Sequence, residues 1–319
     1  MKVTALALVV AGLLVAPAVG PDRAPPAGAD PGPVSQPGPV IDVGDFAYTR
    51  PLAAGPAGLV SVSLDAAVLA HSAFAHSGSF ADLRIVDGAG RQVPYLLDRD
   101  PAPLPVALAF AREPADPALA ESNARSVYRI ALPDAGLPAG ALLLRTRATV
   151  FRREVSVEMP RPPDRGHREA WSEVVAKATW RHELPGEVAP PLALDLPALA
   201  SDRLVLIVDE GDNPPLPITG VEVHLPRYRV RFNRPAQTAL SMVYGHPRLA
   251  APEYDLALQR REVLGAPATE ITAGAERQQA PGPRRAVLPR AAFWIILVGA
   301  VVALVWLIAT LVRMVGQDE

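Results

Sequence analysis

Asp209, Glu210, Asp212 and Asn213 crowd into DEGDNPPLPI, residues 209–218. Their side chains are hard oxygen donors of the kind calcium takes. An EF-hand needs D-x-[DN]-x-[DN]-G with a later glutamate, and that pattern is absent. Pro214, Pro215 and Pro217 stiffen the stretch and cannot donate to a strand ladder. Asp and Asn also close turns through their own side chains. The stretch therefore reads first as a rigid turn between the apolar run RLVLIV and the alternating run TGVEVHL. A ligand or partner site is the second reading and calcium the third, so no cofactor is expected.

Trp171 and Trp180 are the other candidates, because sugar rings pack on aromatic faces. Against this, tryptophan is usually highly buried, and one or both belong more simply to a core. The six histidines, His71, His76, His167, His182, His224 and His246, show no i, i+4 pair. No metal site is expected from that spacing. The chain has no G-x-S-x-G, no H-E-x-x-H and no phosphate-cradling glycine loop ending in lysine. Nor does any pair of carboxylates stand out for glycoside hydrolysis. Cysteine is absent, which excludes disulfides, zinc–thiolate sites and thiol nucleophiles together. A net charge of −2 gives no electrostatic case for nucleic acid.

The elements that would carry these residues sit between two apolar ends. Lys2 precedes an apolar run from Val3 to Val15, and Ala16-Pro17-Ala18 follows as a small-x-small cleavage pattern. Residues 1–18 read as a secretory signal peptide. Near the other end, residues 291–312, AAFWIILVGAVVALVWLIATLV, carry no charge. As a helix at ~1.5 Å per residue this run is roughly 33 Å long, about one hydrocarbon core. Trp294 and Trp306 sit towards its two ends, as interfacial aromatics do. Arg284, Arg285 and Arg290 precede the run and Arg313 follows it, which counted locally favours a cytoplasmic N-terminal side. The signal peptide argues the reverse and takes precedence, because export is committed before the anchor emerges. The expectation is a single-pass protein of the bacterial inner membrane, with a periplasmic ectodomain and a cytoplasmic tail at 313–319.

Between the ends, 36 prolines and 23 glycines imply many turns and few long helices. Residues 19–43 read as a proline-rich linker, 44–112 as a small β domain and 113–125 as a second linker. In DLRIVDGAGRQVPYLL the Asp-Gly and Ala-Gly pairs predict a tight turn between two strands. Residues 126–265 hold some eight short β runs at roughly ten-residue spacing, the pattern of an antiparallel sandwich or jelly roll. Ala251–Leu264 predicts a short helix or an extended tail, and 266–290 a stalk to the membrane. The expected fold is mainly β: two β-sandwich domains plus one C-terminal transmembrane helix.

Two resemblances attach to these residues. RLVLIVDEGDNPPLPITGVEVHL resembles the late strand pair of galactose-binding-like jelly rolls, and FRREVSVEM followed by WSEVV is similar to an earlier element of them. The likeness covers roughly residues 126–235. It implies a fold more than a ligand, though such domains often bind glycans and others serve adhesion or scaffolding. The whole chain also resembles an uncharacterised bacterial family, domain of unknown function 3999. The residues are FAYTRPL, SVSLDAAVL, DLRIVDGAGRQVPYLL, DNPPLPI and YGHPRLAAPEYDL, between a signal peptide and a C-terminal anchor. That resemblance implies an envelope protein facing the periplasm and supplies no catalytic residues. The expected function is a non-enzymatic envelope protein that binds a glycan or a protein partner. An accessory subunit of a polysaccharide synthesis or export system is the alternative, followed by a cryptic glycan hydrolase.

Overall fold

The computed structural model describes residues 36–114, 125–163, 165–280 and 290–315. The signal peptide, residues 19–35 and 115–124 of the two linkers, 281–289 of the stalk and 316–319 of the tail lie outside them. The chain is mainly β. Its strands are β1 (Tyr48–Pro51), β2 (Gly58–Leu64), β3 (Arg84–Asp87), β4 (Tyr95–Ala107), β5 (Ala109–Arg112), β6 (Arg125–Ala131), β7 (Gly140–Thr146), β8 (Phe151–Arg161), β9 (Trp171–His182), β10 (Leu192–Leu196), β11 (Arg203–Asp209), β12 (Ile218–Arg234), β13 (Leu240–Tyr244), β14 (Thr269–Ile271) and β15 (Arg277–Gln278). The helices are α1 (Ala66–His71), α2 (Phe74–Ser77), α3 (Arg260–Gly265) and α4 (Arg290–Val315).

Alternation builds the strands. In β11, Leu204, Leu206 and Val208 are buried while Val205 and Ile207 stay partly exposed. In β8, Val155, Val157 and Met159 are buried between exposed or half-buried neighbours. That is the period-2 signature of a sheet with one face on a core.

Three sheets result, and β12 organises two of the sandwich layers. One edge of β12 pairs with β7 over Ile218–His224 and then with β2 over Tyr228–Arg234. Its other edge pairs with β4 on both sides of a register shift between Leu225 and Arg227. β10 extends the β7 half and β14 the β2 half. A five-stranded sheet, β5-β6-β11-β8-β9, and a four-stranded sheet, β15-β1-β13-β3, complete the layers. Val221 and Val223 of β12 share one apolar cluster with Val155 and Leu206 of the five-stranded sheet. Val230 and Phe232 share it with Met242 and Ile85 of the four-stranded one.

This pairing corrects the expected division at 113–125. Strands β2 and β4 of the expected first domain are hydrogen-bonded to β12 of the expected second. One sandwich uses both ends of the chain, and residues from about 104 to 225 return as an insertion between the halves of β4 and β12. Part of the expected first linker also joins the fold, because Gly38 N–H donates to Gln92 O at 2.8 Å and Ile41 N–H to Gly90 O at 2.9 Å. The predicted tight turn is present. Asp87 Oδ1 accepts the Ala89 and Arg91 N–H groups, and Gly90 takes φ +74°. After it the chain returns along β3 for a few residues, with Val93 N–H donating to Ile85 O at 2.8 Å, and then β4 pairs with β12.

The expected stalk is corrected too. Residues 269–271 form β14, parallel to β2, and Ile271 is 7% exposed. β15 pairs with β1. Residues 266–280 are therefore the closing strands of the first sandwich. Beyond them the backbone of α4 runs 26 residues over the expected membrane span. Within it the described side chains are Trp294, Ile295 and residues 297–308, apolar and exposed. Among the described residues no helix is long and apolar enough to cross a membrane.

Ile271→Ala should destabilise the protein by about 2–5 kcal/mol, the range for a buried aliphatic truncation. Chemical denaturation of the full chain measures it. A loss under about 0.5 kcal/mol, typical of surface positions, would restore the stalk reading.

Candidate functional site

The acidic stretch is a locked turn. Glu210 is 2% exposed, and its Oε2 lies 2.6 Å from Arg153 Nε. Its Oε1 accepts the Leu216 N–H at 3.0 Å, and its carbonyl accepts Asn213 Nδ2 at the same distance. Arg153 also donates to Pro214 O at 3.1 Å. Asp209 Oδ1 accepts the Gly211 N–H at 3.1 Å, where Gly211 takes φ +54°. Both carboxylate oxygens of Glu210 are thus committed inside the fold, one to the Arg153 guanidinium and one to the Leu216 amide. Asp212 is exposed at the tip.

The two tryptophans part company. Trp180 is 3% exposed and meets Phe151 edge-on, with centroids 5.3 Å apart, so it is core and cannot stack on a ligand. Trp171 begins β9 and stacks on His167 at 4.2 Å. Its indole N–H is buried without a hydrogen-bond partner. Arg153, which holds Glu210, is the cross-strand partner of Trp180, so the turn and that tryptophan meet in the core.

Tertiary structure assembles a different cluster, around His71. Asp65 caps α1 by accepting the Val68 N–H at 3.2 Å, and His71 ends that helix. His71 Nδ1 lies 3.0 Å and 3.2 Å from the two oxygens of Glu276, and Nε2 lies 3.4 Å from Asp134 Oδ1. Tyr48 of β1 stacks on the imidazole, with centroids 4.4 Å apart and planes within 6°. The Tyr244 hydroxyl of β13 donates to Glu276 Oε2. Behind it, Arg50 holds Asp65 at 2.6 Å and donates to Gly274 O at 2.7 Å.

Burial pushes the Asp134 carboxyl above its ordinary range; His71 pulls it back, and Glu276 and Asp65 push it further up. The unfolded chain therefore releases this proton first. Asp134 costs the fold stability as pH rises from the ordinary aspartate range through its folded value. Burial, then Glu276, also raises the Tyr48 and Tyr244 hydroxyls, so both remain protonated donors at neutral pH.

His71 lies at one end of a groove of about 490 Å³ that His76, Asp82 and His246 also line. Asp82 fixes the floor. It is 1% exposed and accepts the N–H groups of Ala73, Gly245 and His246 at 2.8, 2.6 and 3.1 Å. No hydroxyl or other nucleophile contacts His71 in the manner of a catalytic base, and among the described residues no metal-holding group of three ligands occurs. The arrangement is an ionic clasp beside a groove. Local spacing did not disclose it, because Glu276 lies 205 residues from His71 in the chain. The Asp65-Ala-Ala-Val-Leu run, an N-cap before good helix formers, was the one available signal for α1.

A second surface lies on the outer face of the five-stranded sheet. Pairing aligns Arg129, Val205, Glu158 and Val174 in one row, and Val127, Ile207, Ser156 and Lys177 in the next. Val127, Val205 and Ile207 are partly exposed and Val174 is 57% exposed. Asp209 and Glu154 follow in the third row. No aromatic ring occupies these rows.

No family model matches the sequence, and no curated protein matches it. Among solved structures, the CBM22-1 and GH10 modules of Clostridium thermocellum xylanase 10B, complexed with xylohexaose, align at 11% identity and a TM-score of 0.19. That alignment covers 46% of this chain and 24% of the xylanase, so it reaches about a quarter of the enzyme's chain. A CBM28 module specific for non-crystalline cellulose aligns at 12% identity and a TM-score of 0.19, covering 50% of this chain and 82% of the module. Likenesses of this size carry no argument about fold or ligand.

Replacing Arg153 by Met strands a buried carboxylate and should cost about 3–5 kcal/mol. Millimolar calcium should leave the parent Tm unchanged. A Tm that rises with calcium in the parent but not in an Asp209→Ala, Asp212→Ala variant would restore the metal reading.

Proposed function

We propose that this chain is a non-enzymatic, membrane-anchored protein of the bacterial envelope that docks a protein partner on the outer face of its five-stranded sheet. The carrying observation is that face: Val127 of β6 and Val205 and Ile207 of β11 form an aliphatic patch at its centre, bordered by charges of both signs, and Val174 of β9 lies beyond Glu158. Aliphatic centres with polar rims suit protein surfaces. Pyranose binding would call for an aromatic platform, and Trp180 is withdrawn into the core. Trp171 keeps glycan binding as the second reading.

The export signal at 1–18 and the apolar run at 291–312 support the location. On this reading the first sandwich stands next to the membrane, because its last strand ends at Gln278 and α4 begins at Arg290. The proposal keeps the galactose-binding-like jelly roll as the kinship of the inserted sandwich, and domain of unknown function 3999 as that of the whole chain.

A photo-cross-linking residue placed at 207 or 127 in cells should give one protein adduct of defined mass, and the same residue at 91 should not. Ile207→Arg should remove the adduct formed at 127 while changing stability by no more than about 0.5 kcal/mol. Absence of adducts, together with acidic or neutral glycan binding that Trp171→Ala abolishes, would favour the second reading. A periplasm-dependent reporter fused at residue 280 should be active, and inactivity there would invert the topology.

A further inference from the structure

We propose that His71 is a proton-dependent latch that holds the chain's exit segment, residues 272–279, onto the first sandwich and loosens it as pH rises. The inference is independent of the partner-docking reading. It begins from a count of donors. His71 presents Nδ1 to Glu276 at 3.0 Å and Nε2 to Asp134 at 3.4 Å. A neutral imidazole carries one N–H, whereas the imidazolium carries two. Both carboxylate contacts are therefore attractive only while His71 is protonated. Once the proton leaves, one ring nitrogen turns a lone pair towards a carboxylate, and two anionic groups remain around an uncharged ring.

The charged and titratable groups facing the ring come from every element around it. Asp134 belongs to the loop after β6 and Glu276 to the exit segment. Tyr48 of β1 stacks on the ring, and Tyr244 of β13 reaches it through Glu276. The nearest other cation, Arg50, is already held by Asp65. No second cation in this set replaces the charge His71 gives up.

What else holds the segment is mainly backbone hydrogen bonding. Thr272 O accepts the Ala53 N–H at 2.9 Å, and Gly274 N–H donates to Pro51 O and Gln279 N–H to Ala47 O, each at 2.7 Å. Arg50 donates to Gly274 O, and β15 contributes two paired residues. Apolar anchoring reaches only into its start, where half-buried Ala273 packs on the core and bridges Leu52, and ends before Glu276. The segment should therefore be tight while the imidazole carries both protons and looser once it has lost one. The same segment leads towards α4, which makes the latch a control on how rigidly the sandwiches stand on their tether.

The chain has no cysteine, so Ala275→Cys gives one attachment point for a nitroxide label. In the full chain, reconstituted in nanodiscs, its EPR spectrum should be immobilised at pH 5 and gain a reversible mobile component by pH 8. His71→Gln and, separately, Glu276→Gln should each make the spectrum independent of pH. His76→Gln, in the same groove, should keep the transition. A parent spectrum that does not change with pH would overturn the latch. So would a transition that survives in Glu276→Gln, whose amide keeps the Tyr244 contact and the fold.

Discussion

The backbone pairing of β12 is the constraint on which the rest of the fold depends. Seventeen residues of one strand serve two sandwiches, with β7 and then β2 on one edge and β4 along the other. Such a strand is roughly 55 Å long at about 3.3 Å per residue, longer than one sandwich core needs. The register shift at Leu225/Arg227 falls at Pro226, opposite the Pro101–Pro103 stretch of β4. Proline has no N–H for the ladder, and bulges bend and twist a strand. The ladder breaks between the half of β12 paired with β7 and the half paired with β2, so the strand can bend while one continuous core runs under both.

Buried polar groups then set the connections between strands. Glu210 fixes the β11–β12 turn through Arg153 and the Leu216 amide. Asp82 ties the approach to α2 to the end of β13 through three backbone amides. Glu276 ties the closing segment to α1 and β13. In each case a carboxylate inside or at the edge of the fold has its lone pairs taken by N–H or O–H donors, as buried polar groups require. The acids with the strongest look of ligands in the sequence are spent on the fold, and Asp212 at the exposed tip is outside that work.

Two kinds of surface remain after these commitments. The groove beside His71 is polar and small, and the carboxylates next to it are already engaged with His71 and Tyr244. The outer face of the five-stranded sheet is broad and aliphatic at its centre. Alternation in β11 made Val205 and Ile207 readable as out-facing, since Leu204, Leu206 and Val208 take the core side. It did not show that Val127 would lie beside Ile207, or Val174 beyond Glu158, because that depends on register across β6, β8 and β9.

The sequence by itself determined the class and most of the local geometry: strands by alternation, the Asp87–Gly90 turn by its glycines, the DEGDNPPLPI turn by its prolines, and the helix of α4 by an uncharged apolar run. These follow from backbone periodicity and side-chain sterics within a few residues, which no distant partner needs to supply. Only the tertiary structure decided that β2 and β4 pair with β12, that residues 266–280 close the first sandwich, and that His71 meets Asp134 and Glu276. An alternating strand states which face it buries but not which strand it joins. The choice of neighbour, and with it every cluster drawn from distant segments, is made by the packing of the whole core.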